Sequence, residues 1–202
     1  MKLYYAPGTC ALACWIALEW AKADYSVEKV TLGSKEYLDI NPLGMVPALQ
    51  FEDGQILTQA GAILQLIARQ HPESDLTHDQ GDLEEARFDE IMDFLTGDFH
   101  PAFWPVFSPH RYTISKKSEE LKAVMEAAYG RIDIAMTHLD RLIGNSNHVY
   151  HEKRTIADAY AYVMSLWSLK TPKPYDQYPN VARFMKSMSE DSVVQAVIQK
   201  SR

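Results

Sequence analysis

The chain of 202 residues contains only two cysteines, no long apolar run and fewer positive than negative charges. No stretch of about 18 apolar residues occurs, and the start of the chain lacks the apolar segment of a secretory signal. These absences predict a cytoplasmic protein without a membrane-embedded part. The net charge of -7 argues against nucleic acid and anionic membranes as main partners, because both require a concentrated positive field.

The two cysteines, Cys10 and Cys14, lie four residues apart on one predicted helix. Helical side chains at that spacing have Cβ atoms about 5–6 Å apart, whereas a disulfide requires about 3.5–4.5 Å. We therefore expect no internal disulfide. The spacing is also wider than the Cys-x-x-Cys of thioredoxin-like redox sites, so it gives little support to a dithiol mechanism.

The first 70 residues alternate between strand and helix patterns. The order strand, helix, strand at the start predicts a parallel pair with a right-handed crossover. Asp53-Gly54 predicts an antiparallel hairpin after it. The predicted strands are 2–5, 26–30, 46–51 and 55–57, and the predicted helices are 11–23 and 59–70.

The second half of the chain has a helical period throughout. A polar segment over 71–82 precedes it and is typical of a linker. We therefore expect an α/β domain over residues 1–75 and an all-helical domain over residues 83–202. One long predicted helix stops at Gly144.

A capping pattern opens a later, strongly apolar helix. Thr155 stands at its predicted start, and Asp158 lies where its carboxylate reaches back to the N–H of Thr155. This pattern predicts that Asp158 stabilises the fold and is not a catalytic acid.

Cys10 lies in the first turn of the first predicted helix, with Thr9 as a plausible N-cap. Unpaired N–H groups and the helix dipole stabilise a thiolate there, so the sequence predicts a pKa below about 8.5 for Cys10. The alternative is an unreactive residue packed at the helix start. Cys14 lies one turn further on and is expected to be a small buried apolar residue.

The segment around Val46 and Pro47 provides a candidate peptide-binding edge. Proline cannot donate a ladder hydrogen bond, so it marks the edge of a strand. With a cis bond before Pro47, the N–H and C=O of Val46 would turn outward and pair with a peptide-like ligand; the alternative is an ordinary loop proline. The N–H groups of Gln59 and Ala60, at the start of the next helix, are suited to bind a carboxylate.

Prolines and aromatic residues dominate the segment 100–107. Pro101 and Pro105 break or kink the helix there. The aromatic side chains of Phe103, Trp104 and Phe107 either line an apolar pocket or form a hydrophobic plug between helices.

These features together closely resemble a bacterial glutathione S-transferase of the beta class. The resemblance rests on MKLYYAPGTC at 1–10, NPLGMVPAL at 41–49, LTQAGAI at 57–63 and TIADAY at 155–160. It implies a thioredoxin-like N-terminal domain followed by an all-helical C-terminal domain. It also implies a homodimer, and glutathione as co-substrate without a metal.

The resemblance also implies roles for individual residues. Cys10 and His100 are the catalytic candidates: Cys10 would touch the glutathione sulfur and can form a mixed disulfide with it, and His100 would lie near that sulfur. A lone histidine can equally be a packed residue at a helix end. The expected glutathione-binding residues are Thr9, Cys10, Lys35, Met45, Val46, Pro47, Gln59, Ala60, Asp93 and His100. The expected wall for the hydrophobic substrate is Phe103, Trp104 and Phe107.

The chain departs from the family pattern at several positions, among them Leu43, Gln59, Ala60 and Pro101. Leu43 and Pro101 stand where a lysine is frequent. Each charge-assisted hydrogen bond lost in this way costs roughly 1.5–3 kcal/mol, so we expect weaker glutathione binding.

The sequence therefore predicts an enzyme that conjugates glutathione to small hydrophobic electrophiles, as in detoxification, with thiol–disulfide exchange through Cys10 as a second activity. Reductase, isomerase and dehalogenase chemistry stay open as variants. The alternative is a non-catalytic regulatory or chaperone-like binder on the same scaffold.

Overall fold

A four-stranded mixed sheet forms the first part of the computed structural model, which describes residues 1–202. Its order is β2-β1-β3-β4, with β1 parallel to β2 and the other pairs antiparallel. The predicted parallel pair and hairpin are therefore confirmed. The strands are β1 (Lys2–Tyr5), β2 (Ser26–Lys29), β3 (Ala48–Gln50) and β4 (Ile56–Thr58).

Strand β3 is shorter than the predicted strand 46–51. It begins at Ala48, directly after Pro47. Proline lacks the N–H that a ladder needs, so pairing starts beyond it. Leu49 of β3 lies opposite Leu3 of β1, and both are fully buried.

Three helices accompany the sheet: α1 (Ala11–Trp20), α2 (Lys35–Leu38) and α3 (Ala60–Gln70). Helix α1 ends three residues before the predicted end at residue 23. Lys22 adopts a left-handed φ of 52°, and the N–H of Ala23 donates to the carbonyl of Leu18 at 3.0 Å. This i to i−5 bond is the closing bond of a Schellman motif, which terminates the helix.

The rest of the chain is helical, as predicted. The remaining helices are α4 (Asp82–Asp93), α5 (His100–Ala102), α6 (Trp104–Phe107), α7 (Ser118–Ile143), α8 (Ile156–Trp167), α9 (Pro179–Glu190) and α10 (Ser192–Lys200). Helix α7 ends directly before Gly144, as the sequence indicates. No helix combines the length and the apolar character needed to cross a membrane.

A π-helical segment, Phe94–Phe99, connects α4 to α5. The sequence predicts one continuous amphipathic helix here, and the π-helical turns are a departure from it. Such wide turns are rare and often occur at functional sites. Asp93 and His100 flank this segment.

Helix α8 lies at the centre of the helical region and is almost entirely buried. Asp158 is fully buried near its start. Its Oδ2 accepts the N–H of Thr155 at 2.7 Å, and its Oδ1 accepts the N–H of Val149 at 2.8 Å. The predicted role of Asp158 in the fold is therefore confirmed.

A single apolar core spans both parts of the molecule. Helix α1 connects them, because it packs against α3 on one side and against α8 and α10 of the helical region on another. Leu12, Ile16 and Leu18 of α1 are buried in this core. The boundary between sheet and helical region is therefore a packed interface, and it positions the residues described below.

His148 gives the fold a predicted pH dependence. Its Nδ1 lies 3.4 Å from Oδ2 of Asp158, and this contact raises the pKa of His148 from its ordinary 6.5. The folded protein thus binds this proton more tightly than the unfolded chain. The stabilisation is fully present below about pH 6.5 and is lost as the pH rises through the raised pKa.

We therefore expect His148→Gln to lower the free energy of unfolding most below about pH 6, with a smaller deficit above neutrality. Urea denaturation at several pH values measures this. His110→Gln, at an exposed histidine, should show no such trend. A deficit of His148→Gln that stays constant with pH would contradict the assignment.

Candidate active site

A cavity of about 700 Å³ lies between the sheet and the helical region. This volume is typical of small-molecule sites, which span about 300–1,000 Å³. The walls come from the β1–α1 loop, the segment before β3, the start of α3 and the helices α4 to α6. Residues at the end of α8 and just after it complete the cavity.

Cys10 and Val46 meet at this cavity, as predicted. The Cys10 thiol donates to the carbonyl of Val46 at 3.3 Å, and the Val46–Pro47 bond is cis. The N–H of Val46 has no hydrogen-bond acceptor within the protein. A free backbone donor therefore lies beside the sulfur, where an extended peptide can pair with it.

The predicted low pKa of Cys10 is wrong. The N–H groups of Cys10 and Ala11 do lower the pKa of this thiol, but burial outweighs them and raises it to about 12. A thiolate in an apolar environment loses its hydration, and this loss exceeds what two amide groups return. Cys10 is therefore a neutral thiol at physiological pH.

Thr9 does not cap α1, contrary to the prediction. Its Oγ1 donates to the carbonyl of Ala6 at 2.7 Å, and Cys10 itself occupies the N-cap position.

Cys14 is a buried residue whose thiol donates to the carbonyl of Ala60 at 3.7 Å. Both cysteines are free, so the predicted absence of a disulfide and the apolar role of Cys14 are confirmed.

The start of α3 supplies a second set of backbone donors. Gln59, the N-cap residue, has a φ of 73° and a ψ of 116°, and its exposed side chain has no hydrogen-bond partner. A non-glycine residue in this region is strained, and such strain is concentrated at ligand sites. The first N–H groups of α3, from Ala60 onward, have no intrahelical partner.

Gly61 allows α3 to approach the π-helical segment. A Cβ at this position would lie 2.9 Å from Cγ2 of Thr96. Since Thr96 and Gly61 both line the cavity, this close contact holds the start of α3 against the π-helical segment that follows Asp93.

His100 is held from behind by Tyr160 of α8. Its Nδ1 lies 2.5 Å from the Tyr160 hydroxyl. Burial lowers the pKa of His100 to about 4 and raises that of Tyr160, so both groups are neutral at physiological pH. With both groups neutral, the tautomer protonated at Nε2 accepts the hydroxyl hydrogen at Nδ1 and presents Nε2–H as the ring donor for a ligand.

Two of the three predicted aromatic residues line the cavity. Trp104 is 44% exposed and Phe107 is 38% exposed, whereas Phe103 is fully buried. Phe103 packs edge-on against Trp167, with ring centroids 5.7 Å apart. The prediction for Phe103 is therefore wrong, because it faces the helical core.

Trp167 is a wall residue that sequence reasoning missed. Its Nε1 donates to the carbonyl of Gly8 at 2.8 Å, which connects the end of α8 to the loop before Cys10. The sequence predicts a helix here that is apolar almost all round, and this pattern does not distinguish a core tryptophan from a wall tryptophan. The bond joins residues 159 positions apart, so no local signal reveals it.

Lys35 is exposed and does not line the cavity, contrary to the prediction. Its helix, α2, is oriented by Tyr37, which is buried and donates its hydroxyl to the carbonyl of Met45 at 2.8 Å. This contact turns Lys35 towards solvent.

The cavity does bring together the other predicted glutathione residues, namely Thr9, Cys10, Met45, Val46, Pro47, Gln59, Ala60, Asp93 and His100.

Formal charge is scarce at this site. With His100 neutral, Asp93 and Lys170 are the charged residues in the lining. Sequence reasoning missed Lys170, which follows α8. No group of three or more His, Cys, Asp or Glu side chains is placed to hold a metal ion.

Comparison with known proteins agrees with this geometry. The family model described as "Glutathione S-transferase, N-terminal domain" matches residues 8–70. Glutathione S-transferase GST-4.5 of Xanthomonas campestris is 32% identical over 207 residues, covering 98% of each chain.

Solved structures show the same likeness over the whole chain. The beta class glutathione S-transferase of Sphingomonas chungbukensis has a TM-score of 0.87 at 31% identity, covering 100% of this chain and 98% of that one. A sphingomonad glutathione S-transferase complexed with glutathione has a TM-score of 0.86 at 32% identity, with the same coverage.

The chain belongs to the glutathione S-transferase family. Its structural neighbours include bacterial beta-class members, so the predicted resemblance and fold class are confirmed, and the chain is a transferase of this type.

The raised pKa of Cys10 predicts a slowly reacting thiol. At pH 8, a pKa of about 12 in place of the ordinary 9.0 lowers the thiolate fraction about 1,000-fold. We expect alkylation of Cys10 by iodoacetamide to be slowed to a similar degree and to accelerate about tenfold per pH unit between pH 7 and 10.

Intact-mass measurement in a Cys14→Ala background isolates this reaction, and the urea-unfolded protein supplies the rate of an ordinary thiol. A rate that reaches its plateau below pH 8 would show instead that the helix start stabilises the thiolate.

Proposed function

We propose that the protein conjugates glutathione to small hydrophobic electrophiles. The observation that carries the proposal is the convergence of the Cys10 sulfur, the free N–H of Val46 and the start of α3 on one cavity with an aromatic wall. One end of this cavity offers backbone donors and the other offers aromatic rings. A peptide thiol and an apolar electrophile suit these two ends.

The residues present fit glutathione at the donor end. The N–H of Val46 is free to pair with the cysteinyl part of the tripeptide. The N–H groups at the start of α3 suit the γ-glutamyl carboxylate, and the carboxylate of Asp93 suits the γ-glutamyl ammonium group. The chain offers no lysine for the glycyl carboxylate at positions 43 and 101, which predicts modest affinity.

Neutral donors would stabilise the attacking thiolate. Cys10 and His100 both line the cavity, so the Cys10 S–H, once it turns from the Val46 carbonyl, and the Nε2–H of His100 can direct a hydrogen toward a sulfur there. The glutathione thiol releases its proton to solvent, and its sulfur forms a bond to the electrophilic carbon. The leaving group departs with the electron pair of the bond that breaks.

Thiol–disulfide exchange through Cys10 is the less favoured activity. Exchange requires the Cys10 thiolate as nucleophile, and burial raises the pKa of this thiol to about 12. Cys10 is better suited to donate a hydrogen bond than to attack a disulfide. Conjugation, in which the nucleophile is glutathione, does not need an ionised Cys10.

The resemblance to beta-class glutathione S-transferases also bears on the domains, the oligomeric state and the cellular role of the protein. We propose two domains, 1–75 and 83–202, a homodimer, and a role in detoxification in the cytoplasm, where thiols are kept reduced.

Gln59 provides a test of glutathione binding. A glycine adopts a φ of 73° without strain, so Gln59→Gly should leave stability nearly unchanged. It should weaken glutathione binding about tenfold, because the side-chain amide is lost and the start of α3 is less fixed. Calorimetric titration and the glutathione-dependent rise in Tm measure both effects.

Lys22→Gly is the matched control, since Lys22 has a φ of 52° but lies outside the cavity. It should not alter glutathione affinity. If millimolar glutathione leaves the Tm of the unmodified protein unchanged, the binding proposal fails. If glutathione binds but no electrophile is conjugated, the non-catalytic alternative replaces the proposal.

Tyr160→Phe tests the role of His100. The substitution removes the hydroxyl that fixes Nδ1, so we expect kcat for conjugation to fall about 3- to 10-fold with little change in the KM for glutathione. His100 itself should add no inflection to the pH profile between pH 5.5 and 8, because its pKa is about 4.

Tyr162→Phe serves as the control, as this buried tyrosine lies on the same helix and outside the cavity. Equal values of kcat for Tyr160→Phe and Tyr162→Phe would exclude a positioning role for Tyr160.

A further inference from the structure

Lys170 lies at the aromatic end of the cavity. It belongs to the short turn Ser168–Lys170 that follows α8, and it is exposed. Its Nζ lies 5.2 Å from the ring centroid of Phe107. No carboxylate of the protein forms an ion pair with it, whereas nearby Lys173 pairs with Asp133 at 2.6 Å.

The rings beside Lys170 form a corner with fixed geometry. The rings of Phe107 and Trp167 are nearly perpendicular, with an interplanar angle of 85° and centroids 5.0 Å apart. Trp167 is held in place by its bond to Gly8, and Trp104 continues the wall. A flat, unsaturated ligand can pack against such a corner with offset or edge-on contacts.

The two charged residues of the lining belong to different parts of the cavity. Asp93 lies at the end of α4, beside the residues that suit glutathione. Lys170 contacts the aromatic wall. A cation on an exposed aromatic face is weakly held, so a ligand carboxylate can recruit it at small cost.

We propose that Lys170 selects electrophiles that carry a carboxylate on a planar, unsaturated body. The apolar body packs against Trp104, Phe107 and Trp167, and the carboxylate pairs with Nζ of Lys170. This inference rests on the proposed conjugation reaction and specifies the class of its second substrate. Since Lys170 is exposed to solvent, the selectivity expected from the ion pair is modest, about 2- to 5-fold.

Two chlorinated nitroaromatic electrophiles provide a matched test. 1-Chloro-2,4-dinitrobenzene is neutral, and 4-chloro-3,5-dinitrobenzoate carries a carboxylate. In both, the glutathione sulfur forms a bond to the ring carbon, and chloride leaves with the electron pair of the C–Cl bond. The measured quantity is the ratio of kcat/KM for the benzoate to kcat/KM for the neutral compound, each divided by its uncatalysed rate.

We expect Lys170→Gln to lower this ratio about 2- to 5-fold and Lys170→Glu to lower it further. Added salt should lower the ratio of the unmodified protein toward that of Lys170→Gln. Lys116→Gln, which removes an exposed charge outside the cavity, should leave the ratio unchanged.

Two outcomes would overturn the inference. An equal effect of Lys170→Gln and Lys116→Gln would show that only the overall charge matters. A raised KM for glutathione with an unchanged ratio would assign Lys170 to the glutathione end.

A binding measurement separates this inference from the proposed function. Quenching of tryptophan fluorescence reports the affinities of the unreactive compounds 3,5-dinitrobenzoate and 1,3-dinitrobenzene. If conjugation is absent but Lys170→Gln still removes a preference for the benzoate, the conjugation proposal fails and the carboxylate site stands. If the affinity ratio does not depend on residue 170, the carboxylate site is excluded.

Discussion

Helix α1 is packed against the sheet, α3, α8 and α10 at once, and the rest of the structure depends on this packing. Its alanine-rich, apolar sequence lets neighbouring elements approach on every side. The same burial fixes the position of Cys10 at the N-cap of the helix. Because α8 lies against α1, the end of α8 reaches the loop before Cys10, where Trp167 bonds to Gly8. The cavity is thus a consequence of how the two parts of the chain share one core.

Burial also determines the electrostatic character of the site. It raises the pKa of Cys10 to about 12 and lowers that of His100 to about 4, so both side chains are neutral at physiological pH. In the proposed function, the potential at the glutathione thiolate comes from oriented dipoles, namely backbone N–H groups, the Cys10 S–H and the His100 imidazole N–H. Fixed dipoles in a poorly solvated site stabilise a developing anion effectively, because they need little reorganisation.

The aromatic end of the cavity is built from side chains, whereas the donor end is built from backbone N–H groups. Its wall combines residues of α6 with the end of α8, two elements that meet through the core around Phe103. The wall provides an apolar surface, and Lys170 adds one unpaired cation to it. The proposed ligand selectivity at this end depends on ring packing and on a single charge, whereas the proposed binding of glutathione at the donor end uses the backbone.

The sequence by itself determined the features that depend on near neighbours along the chain. The Asp53-Gly54 hairpin, the end of α7 before Gly144 and the contact of Asp158 with the N–H of Thr155 all involve groups within a few residues, so turn chemistry and periodicity were sufficient. The family motifs also located most of the cavity lining. In these cases, local structure and tertiary structure agree.

Only the tertiary structure decided which side of each element faces the cavity and how strongly each group is desolvated. Lys35 faces solvent because Tyr37 orients α2, and Phe103 faces the core because Trp167 packs against it. The pKa of Cys10 was predicted in the wrong direction, because the helix start acts locally whereas its burial comes from distant parts of the chain. Trp167 and Lys170 join the site across more than 60 intervening residues, from the other side of the shared core. How deeply a residue is buried and which way its side chain points are properties of the packed chain, and no local pattern encodes them.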